Sequence, residues 1–252
     1  MKLLTLARDL RRRKAREKHE LFVAEGVRAV EELVRSHLTV RGALIAPQLR
    51  DAPRGEELLA ALQGKGMRVD EVSVSEFPSA AETESPQGVI AIGEIPAHGF
   101  DSIATDWKGV ILVLVAVQDP GNVGTIIRTA AALGATATVA LPGTVDLWNA
   151  KVVRSGMGAH FNHLLFSCTW SELDSFRSRG NFDVLAADAS GVDVATVEPG
   201  SRVALVVGNE GSGLGAEARS RASRIVSLSI RPDVESLNVA VATGILLYAL
   251  SR

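Results

Sequence analysis

The sequence predicts an α/β protein in two parts: a smaller amino-terminal α/β domain, then a carboxyl-terminal domain built on a parallel sheet. Three observations carry this expectation. Short strand-like runs alternate with helical patterns along most of the chain. One run, Val110 to Val117, is apolar on both faces, as an interior parallel strand must be. Near the end, Val203 to Val207 and Ile225 to Ile230 are strand-like, and each runs into a polar loop rich in turn residues. Ligands of open α/β sheets bind outside the carboxyl ends of strands, so these two loops mark the candidate site.

The elements follow in order. A basic run from Arg8 to Lys18 opens the chain, either a solvated helix face or a phosphate-contacting patch. Leu21-Phe22-Val23 is a short strand, broken by Glu25-Gly26. Val27, Val30, Leu33 and Val34 recur at helical spacing. A strand over Val40 to Ala46 is ended by Pro47, and a helix over Glu56 to Gln63 closes on Gly64 and Gly66. Strands at Val69 to Val74 and Val89 to Ile92 complete a first domain over 1–98. Periodicity is lost around Pro96 and Gly99, so 99–107 is expected as a linker and 108–252 as the second domain. That domain continues with a helix from about Asn122, a strand at Thr138 to Leu141 and a helix from Trp148. A strand at Asp183 to Ala187 precedes the two final strands, and a helix from Leu237 to Leu250 closes the chain.

Composition narrows the function classes. With 252 residues, 46% hydrophobic and 22% charged, the chain is that of an ordinary globular protein with ample core. The net charge of −2 gives no bulk attraction for nucleic acid. One cysteine, Cys168, excludes an intrachain disulfide and a cysteine-cluster metal site, and suits a reducing cytoplasm. No apolar run is long and charge-free enough to span a bilayer, and the start lacks the apolar segment of a secretory signal. His160 and His163 have no acids or cysteines beside them and are expected as packing residues, with no metal.

The loop Gly208-Asn209-Glu210-Gly211-Ser212-Gly213 follows a strand, which invites comparison with phosphate loops. A nucleotide P-loop needs Lys-Ser or Lys-Thr after its last glycine, and here Leu214-Gly215 follows. The dinucleotide fingerprint needs G-x-G-x-x-G near the start of a βαβ unit, and this spacing and position differ. Glycines that permit close backbone approach, an acid and no base suit a ligand without phosphates. At the earlier βα junction, Asp119-Pro120-Gly121-Asn122 reads as a tight turn with Asn122 at the helix N-cap. Val123, Ile126, Ile127 and Ala130 form the buried stripe of that helix, and Arg128 lies off it.

Three segments, DPGNVGTIIRTAAALGA, VVGNEGSGLG and SLSIRPDVESLNVAVATGILLYAL, resemble the three motifs of the SpoU-type, TrmH-like RNA ribose 2′-O-methyltransferases of the SPOUT superfamily. They stand in the family's order and with its separations. The Ser85-Pro86-Gln87-Gly88 passage and the amino-terminal Leu21-Phe22-Val23-Ala24-Glu25-Gly26 are similar to the family's upstream passage and its ribosomal-protein-like RNA-binding extension. The resemblance covers nearly the whole chain. It implies an S-adenosylmethionine-dependent enzyme, a trefoil-knotted carboxyl-terminal domain, and a homodimer whose subunits together build each active site. No periodicity shows a knot; threaded chains are rare enough that pattern reasoning discards them.

By position, the resemblance implies catalytic roles for Asn122, Arg128, Glu210, Ser236 and Asn238, and cofactor contacts from Val207, Gly208, Asn209, Leu228, Leu237 and Asn238. It makes Arg11, Arg12, Arg13, Lys14 and Arg16 the expected RNA contacts. The family assigns activation of the ribose hydroxyl to the arginine, here Arg128. Because arginine stays protonated, a cation that holds the adjacent phosphate and developing alkoxide charge is the more conservative role. The RNA is expected to be ribosomal rather than transfer RNA, by analogy with the extension. Two other readings stand beside this one: an RNA-binding protein of the same fold that has lost catalysis, and a nucleotide-dependent small-molecule enzyme.

Overall fold

A computed structural model describes residues 2–209, 211 and 213–251, and the chain divides into two units. One comprises Met1–Ala97 and Trp148–Asn162, the other His98–Leu147 and His163–Arg252.

The first unit opens with α1 (Leu3–Asp9) and α2 (Arg13–His19). It continues with β1 (Leu21–Glu25), α3 (Val27–Arg35), β2 (Val40–Ile45), α4 (Gln48–Asp51), α5 (Gly55–Gly64), β3 (Val69–Glu71) and β4 (Val89–Glu94). The sheet order is β1-β4-β2-β3, with β4 antiparallel to both neighbours and β2 parallel to β3. The expected stripe Val27, Val30, Leu33 and Val34 faces the core. Both motif-like stretches of this unit have a bonding role. Gly26 turns the chain at φ 94°, and the Val27 amide, one of the first-turn donors of α3 that lack a helical partner, is taken by Gln87 Oε1 at 2.9 Å. The buried Glu25 carboxylate accepts the amides of Glu82 and Thr83 at 2.8 and 3.2 Å.

The basic run is split over α1 and α2 and is not one face. Arg16 is only 3% exposed, and its Nη1 donates to the Leu10 and Arg11 carbonyls at 2.7 and 2.9 Å. These are end-of-helix carbonyls that need a donor, so Arg16 is a structural cap and not a surface phosphate contact. Arg12 pairs with Asp9 and Arg13 with Glu17, at 2.6 and 2.7 Å, while Arg11 and Lys14 are exposed.

The second unit is built from β5 (Gly109–Leu114), α6 (Pro120–Ala132), β6 (Ala137–Ala140), β7 (Leu165–Ser167), α8 (Trp170–Gly180), β8 (Asp183–Asp193), β9 (Arg202–Val207), α9 (Ala216–Arg221), β10 (Arg224–Ser227) and α10 (Val239–Leu250). The intervening α7 (Ala150–Ser155) belongs to the first unit, where Ala150 joins the core with Leu21 and Val23. Trp148 and Phe161 flank this segment and lie with ring centroids 4.6 and 5.7 Å from Phe22. An aromatic cluster thus draws 148–162 out of the range expected for the second domain. The stretch expected as a linker, 99–107, also differs: Phe100 stacks on Phe176 at 4.4 Å, and Ile103 and Trp107 are buried in the second core.

All pairings in the second sheet are parallel, in the order β10-β8-β9-β5-β6-β7. The expectation of an interior strand at Val110 is met by β5, between β9 and β6, with Val110 to Leu114 buried. Strand order reverses between β5 and β9, which makes their carboxyl ends the switch point of the sheet. Helix α8, unmarked by apolar periodicity, is announced by its start: Thr169 and Glu172 form a reciprocal capping box. His163 is buried against Thr138 Oγ1 at 2.9 Å, and burial pushes its imidazole down to about 4, so it stays neutral. Among the described residues no group of His, Cys, Asp or Glu could hold a metal, and no helix is long and apolar enough to cross a membrane.

Replacing Arg16 with alanine removes the donor to one buried and one part-buried carbonyl, those of Leu10 and Arg11. Urea denaturation should show a loss of about 2 kcal/mol, as for a removed charged hydrogen-bond partner. Arg13→Ala, which removes a surface pair, should cost well under 1 kcal/mol.

Candidate cofactor and active site

The site grows from the carboxyl ends of β5, β8, β9 and β10. After β5, Ala116 takes a left-handed φ of 54°, and α6 then begins at Pro120. Asp119 is the N-cap, accepting the Asn122 amide at 2.7 Å. This moves the cap from Asn122, where the sequence placed it, to Asp119: proline is preorganised for the first helical position, so the helix starts earlier. Asn122 therefore sits inside the first turn and is not the capping residue. Val123, Ile126, Ile127 and Ala130 are fully buried as expected, and Arg128 is exposed. Among the described residues Arg128 makes no hydrogen bond or ion pair.

The closing helix α10 starts at Val239, because Asn238 is its N-cap. Asn238 Oδ1 accepts the amides of Ala240 and Val241 at 2.9 and 3.3 Å. Its Nδ2 donates to Asn122 Oδ1 at 3.0 Å. Two residues 116 apart in sequence are thus locked amide to amide, each at the first turn of a helix.

The glycine-rich loop leaves β9 at Gly208. Asn209 and Gly213 exchange backbone hydrogen bonds at 3.2 and 3.0 Å, closing the loop on itself. A Cβ on Gly208 would stand 2.6 Å from the Gly213 carbonyl oxygen and 2.8 Å from Leu214 Cδ2. Gly208 is therefore required by the loop's own closure. Asn209 Nδ2 donates to the Ala116 carbonyl at 2.9 Å, tying the end of β9 to the end of β5. Glu210, expected as the acid of this loop, lies outside the described residues.

Between these loops is a cleft of about 420 Å³. Val207, Gly208, Asn209, Leu228, Ser236 and Leu237 all line it, so the expected cofactor residues from separate loops converge on one wall or another. Asn238 is not among the lining residues but holds the adjoining helix, and Arg128 is not a lining residue either. Asp188 and Glu235 also line the cleft, and among the described residues no lysine or arginine does. The sequence reading missed Asp188; its signal was an Asp-Ala-Ser turn directly after the apolar part of β8. The size falls in the usual range for small ligands, roughly 300–1,000 Å³. Apolar walls with carboxylates, and no cation among the described lining residues, fit a cationic, phosphate-free nucleoside such as S-adenosylmethionine.

These features define an α/β domain that holds a nucleoside-like cation at its strand ends, joined to a separate mixed-sheet unit. Residues 109–248 match the SpoU rRNA Methylase family, and residues 5–91 match the MRM3-like substrate binding domain. The chain is 34% identical over 244 residues to the 23S rRNA (guanosine(2553)-2′-O)-methyltransferase of Bacillus subtilis, covering 96% of this chain and 93% of that one. It is 30% identical to a 23S rRNA (adenosine(1067)-2′-O)-methyltransferase of Streptomyces laurentii, covering 81% and 77%. Among solved structures, the AdoMet-bound rRNA methyltransferase of Sinorhizobium meliloti superposes with a TM-score of 0.85 at 27% identity, covering 99% and 94%. The SpoU methyltransferase AviRb of Streptomyces viridochromogenes, in complex with AdoMet, gives 0.86 at 25% identity, covering 100% and 97%. The protein belongs to the SpoU rRNA methylase family.

Gly208→Ala tests the loop. The added methyl should force the Gly208–Gly213 approach apart and weaken S-adenosylmethionine binding by about fivefold or more, from overpacking of roughly 1–3 kcal/mol. Calorimetric titration, with the melting temperature recorded beside it, checks whether the loss is local.

Proposed function

We infer that this protein transfers a methyl group from S-adenosylmethionine to a ribose 2′-hydroxyl of 23S ribosomal RNA. The observation that carries the reading is the convergence of three separated motifs on one cleft and one amide–amide bond, Asn122 to Asn238. The 23S target is supported by the relatives' activities and by the MRM3-like substrate binding match in the first unit. A ribosomal RNA substrate and the lone, half-buried Cys168 thiol favour a cytoplasmic location.

When bound, S-adenosylmethionine supplies an electrophilic methyl on a cationic sulfur. The chain must align the ribose oxygen with that methyl and stabilise charge as the hydroxyl proton leaves. We assign cofactor binding to Val207, Gly208, Asn209, Leu228 and Leu237, whose backbone and apolar side chains form the walls. Ser236 shapes the loop beside them. Asn122 and Asn238, bonded amide to amide, orient the ribose and Arg128 together with Glu210. Arg128, a permanent cation with no partner among the described residues, holds the adjacent phosphate and the developing alkoxide. Arg11, Arg12, Arg13 and Lys14 supply phosphate contacts from the first unit.

Two further features belong to the proposal. The chain leaves β10 at the sheet's edge and returns to pack α10 against α6, β5 and β9 at its centre, which supports a trefoil knot. On α10, Val241, Ile245 and Tyr248 are 52, 45 and 53% exposed and share one face at i, i+4 and i+7. An apolar stripe on a closing helix supports a homodimer through α10.

Mapping of 2′-O-methyls in 23S ribosomal RNA from cells with and without the gene tests the function; an unchanged methylation map would refute it. Arg128→Ala should keep the melting temperature and cofactor affinity. Single-turnover methyl transfer should fall by roughly two to three orders of magnitude. Arg128→Lys should rescue poorly, since a point charge cannot reproduce the planar fork. For the dimer, sedimentation of Ile245→Asp should give a folded monomer where the wild type sediments as a dimer.

A further inference from the structure

Beyond the motif residues, one side-chain network borders the cofactor cleft and has no assigned role. Asp188 lines the cleft where the apolar part of β8 ends. Its Oδ1 accepts the Ser190 amide at 3.0 Å and the Ser190 hydroxyl at 2.6 Å. Its Oδ2 pairs with Arg219 Nη2, from α9. The same guanidinium donates through Nε to the Leu214 carbonyl at 3.0 Å, and Nη1 lies 3.4 Å from Ser190 Oγ. One planar fork therefore spans two segments: the irregular stretch of β8 that carries Asp188 and Ser190, and the end of the glycine-rich loop.

We propose that Arg219 and Asp188 form a strap that holds the glycine-rich loop in its cofactor-binding shape, Arg219 acting as a positioning residue. This rests on the reading of the cleft as the S-adenosylmethionine site. Leu214 is the strap's point of leverage. It is 3% exposed, directly follows Gly213, and packs its Cδ2 beneath Gly208. Gly213 in turn closes the loop through its two bonds to Asn209, which is tied to Ala116. Fixing the Leu214 carbonyl thus fixes the wall that Gly208, Asn209 and Gly213 present to the ligand. Both Asp188 oxygens are already occupied, so the carboxylate is oriented and cannot swing away. Burial opposes its ionisation, yet the Ser190 bonds and Arg219 hold its carboxyl below the usual range, so the strap is charged at neutral pH. The Arg219 side chain is 41% exposed, so its loss should act on the loop more than on the core.

The test uses the full chain in three variants: Arg219→Gln, Asp188→Asn and the double substitution. Each single change should raise KM for S-adenosylmethionine about tenfold, as expected for a lost charged hydrogen bond, with kcat at saturation and RNA affinity kept within about twofold. The double variant should be no worse than the poorer single, because the two side chains act as one unit. Arg219→Lys keeps the ion pair but cannot reach three acceptors, and should recover only part of the affinity. Hydrogen exchange at the Asn209 and Gly213 amides of the cofactor-free protein gives an independent readout, expected to quicken about tenfold in Arg219→Gln as local opening becomes easier. Unchanged exchange and unchanged KM in folded single variants would overturn the strap, as would additive effects in the double. A wild-type chain that binds no S-adenosylmethionine, yet shows quickened exchange in Arg219→Gln, would sink the functional reading and leave the strap standing.

Discussion

The cleft depends on the close approach of Gly208 to Gly213. Gly208 has no room to give, since a side chain there would meet the Gly213 carbonyl at 2.6 Å, and Gly213 sits at φ 64°, a left-handed conformation that favours glycine. That contact folds the loop back over the end of β9 and leaves Val207 and Gly208 facing the cleft. Everything else around the site can be described as holding this turn in place. Asn209 anchors it to β5 through Ala116, and Arg219 reaches its far end at Leu214.

A parallel sheet makes this arrangement possible. Interior parallel strands are buried on both faces, so their ends are rigid, and all their carboxyl ends open on one side. In the second unit β5 and β9 are such strands, and the order reverses between them. The loops that leave them carry backbone carbonyls with no ladder partner. Side-chain amides and a guanidinium, from Asn209 and Arg219, supply the missing donors. The groups that build the cleft are therefore the same groups that satisfy its backbone.

Charge sets what the cleft can accept. Among the described residues two carboxylates, Glu235 and the Arg219-paired Asp188, and no cation line it, which disfavours phosphate and suits a sulfonium nucleoside. Arg128, a charge suited to RNA phosphate, stands outside this lining on the exposed face of α6. The cleft lining and the exposed face of α6 thus differ in charge, and the Asn122–Asn238 bond joins α6 to α10.

The sequence by itself determined the fold class, the run of β5 as an interior strand and the loops that carry the site. Those features rest on local periodicity and on residues, such as Gly208 and Asn238, whose types are dictated by backbone conformation. It also pointed to the family, because three motifs stand in order. Spatial partnership was beyond its reach. No local rule joins Asn122 to Asn238, or draws Trp148 and Phe161 to Phe22, because both depend on which surfaces meet after folding. Charge runs mislead for the same reason: Arg16 reads as one more cation, but α1 ends where its guanidinium finds two carbonyls, and it is buried there. Asp188 and Arg219, 31 residues apart, look like ordinary surface charges until the tertiary structure brings β8 and α9 to the same loop. Periodicity encodes what a segment buries; only packing decides which polar groups must then satisfy one another.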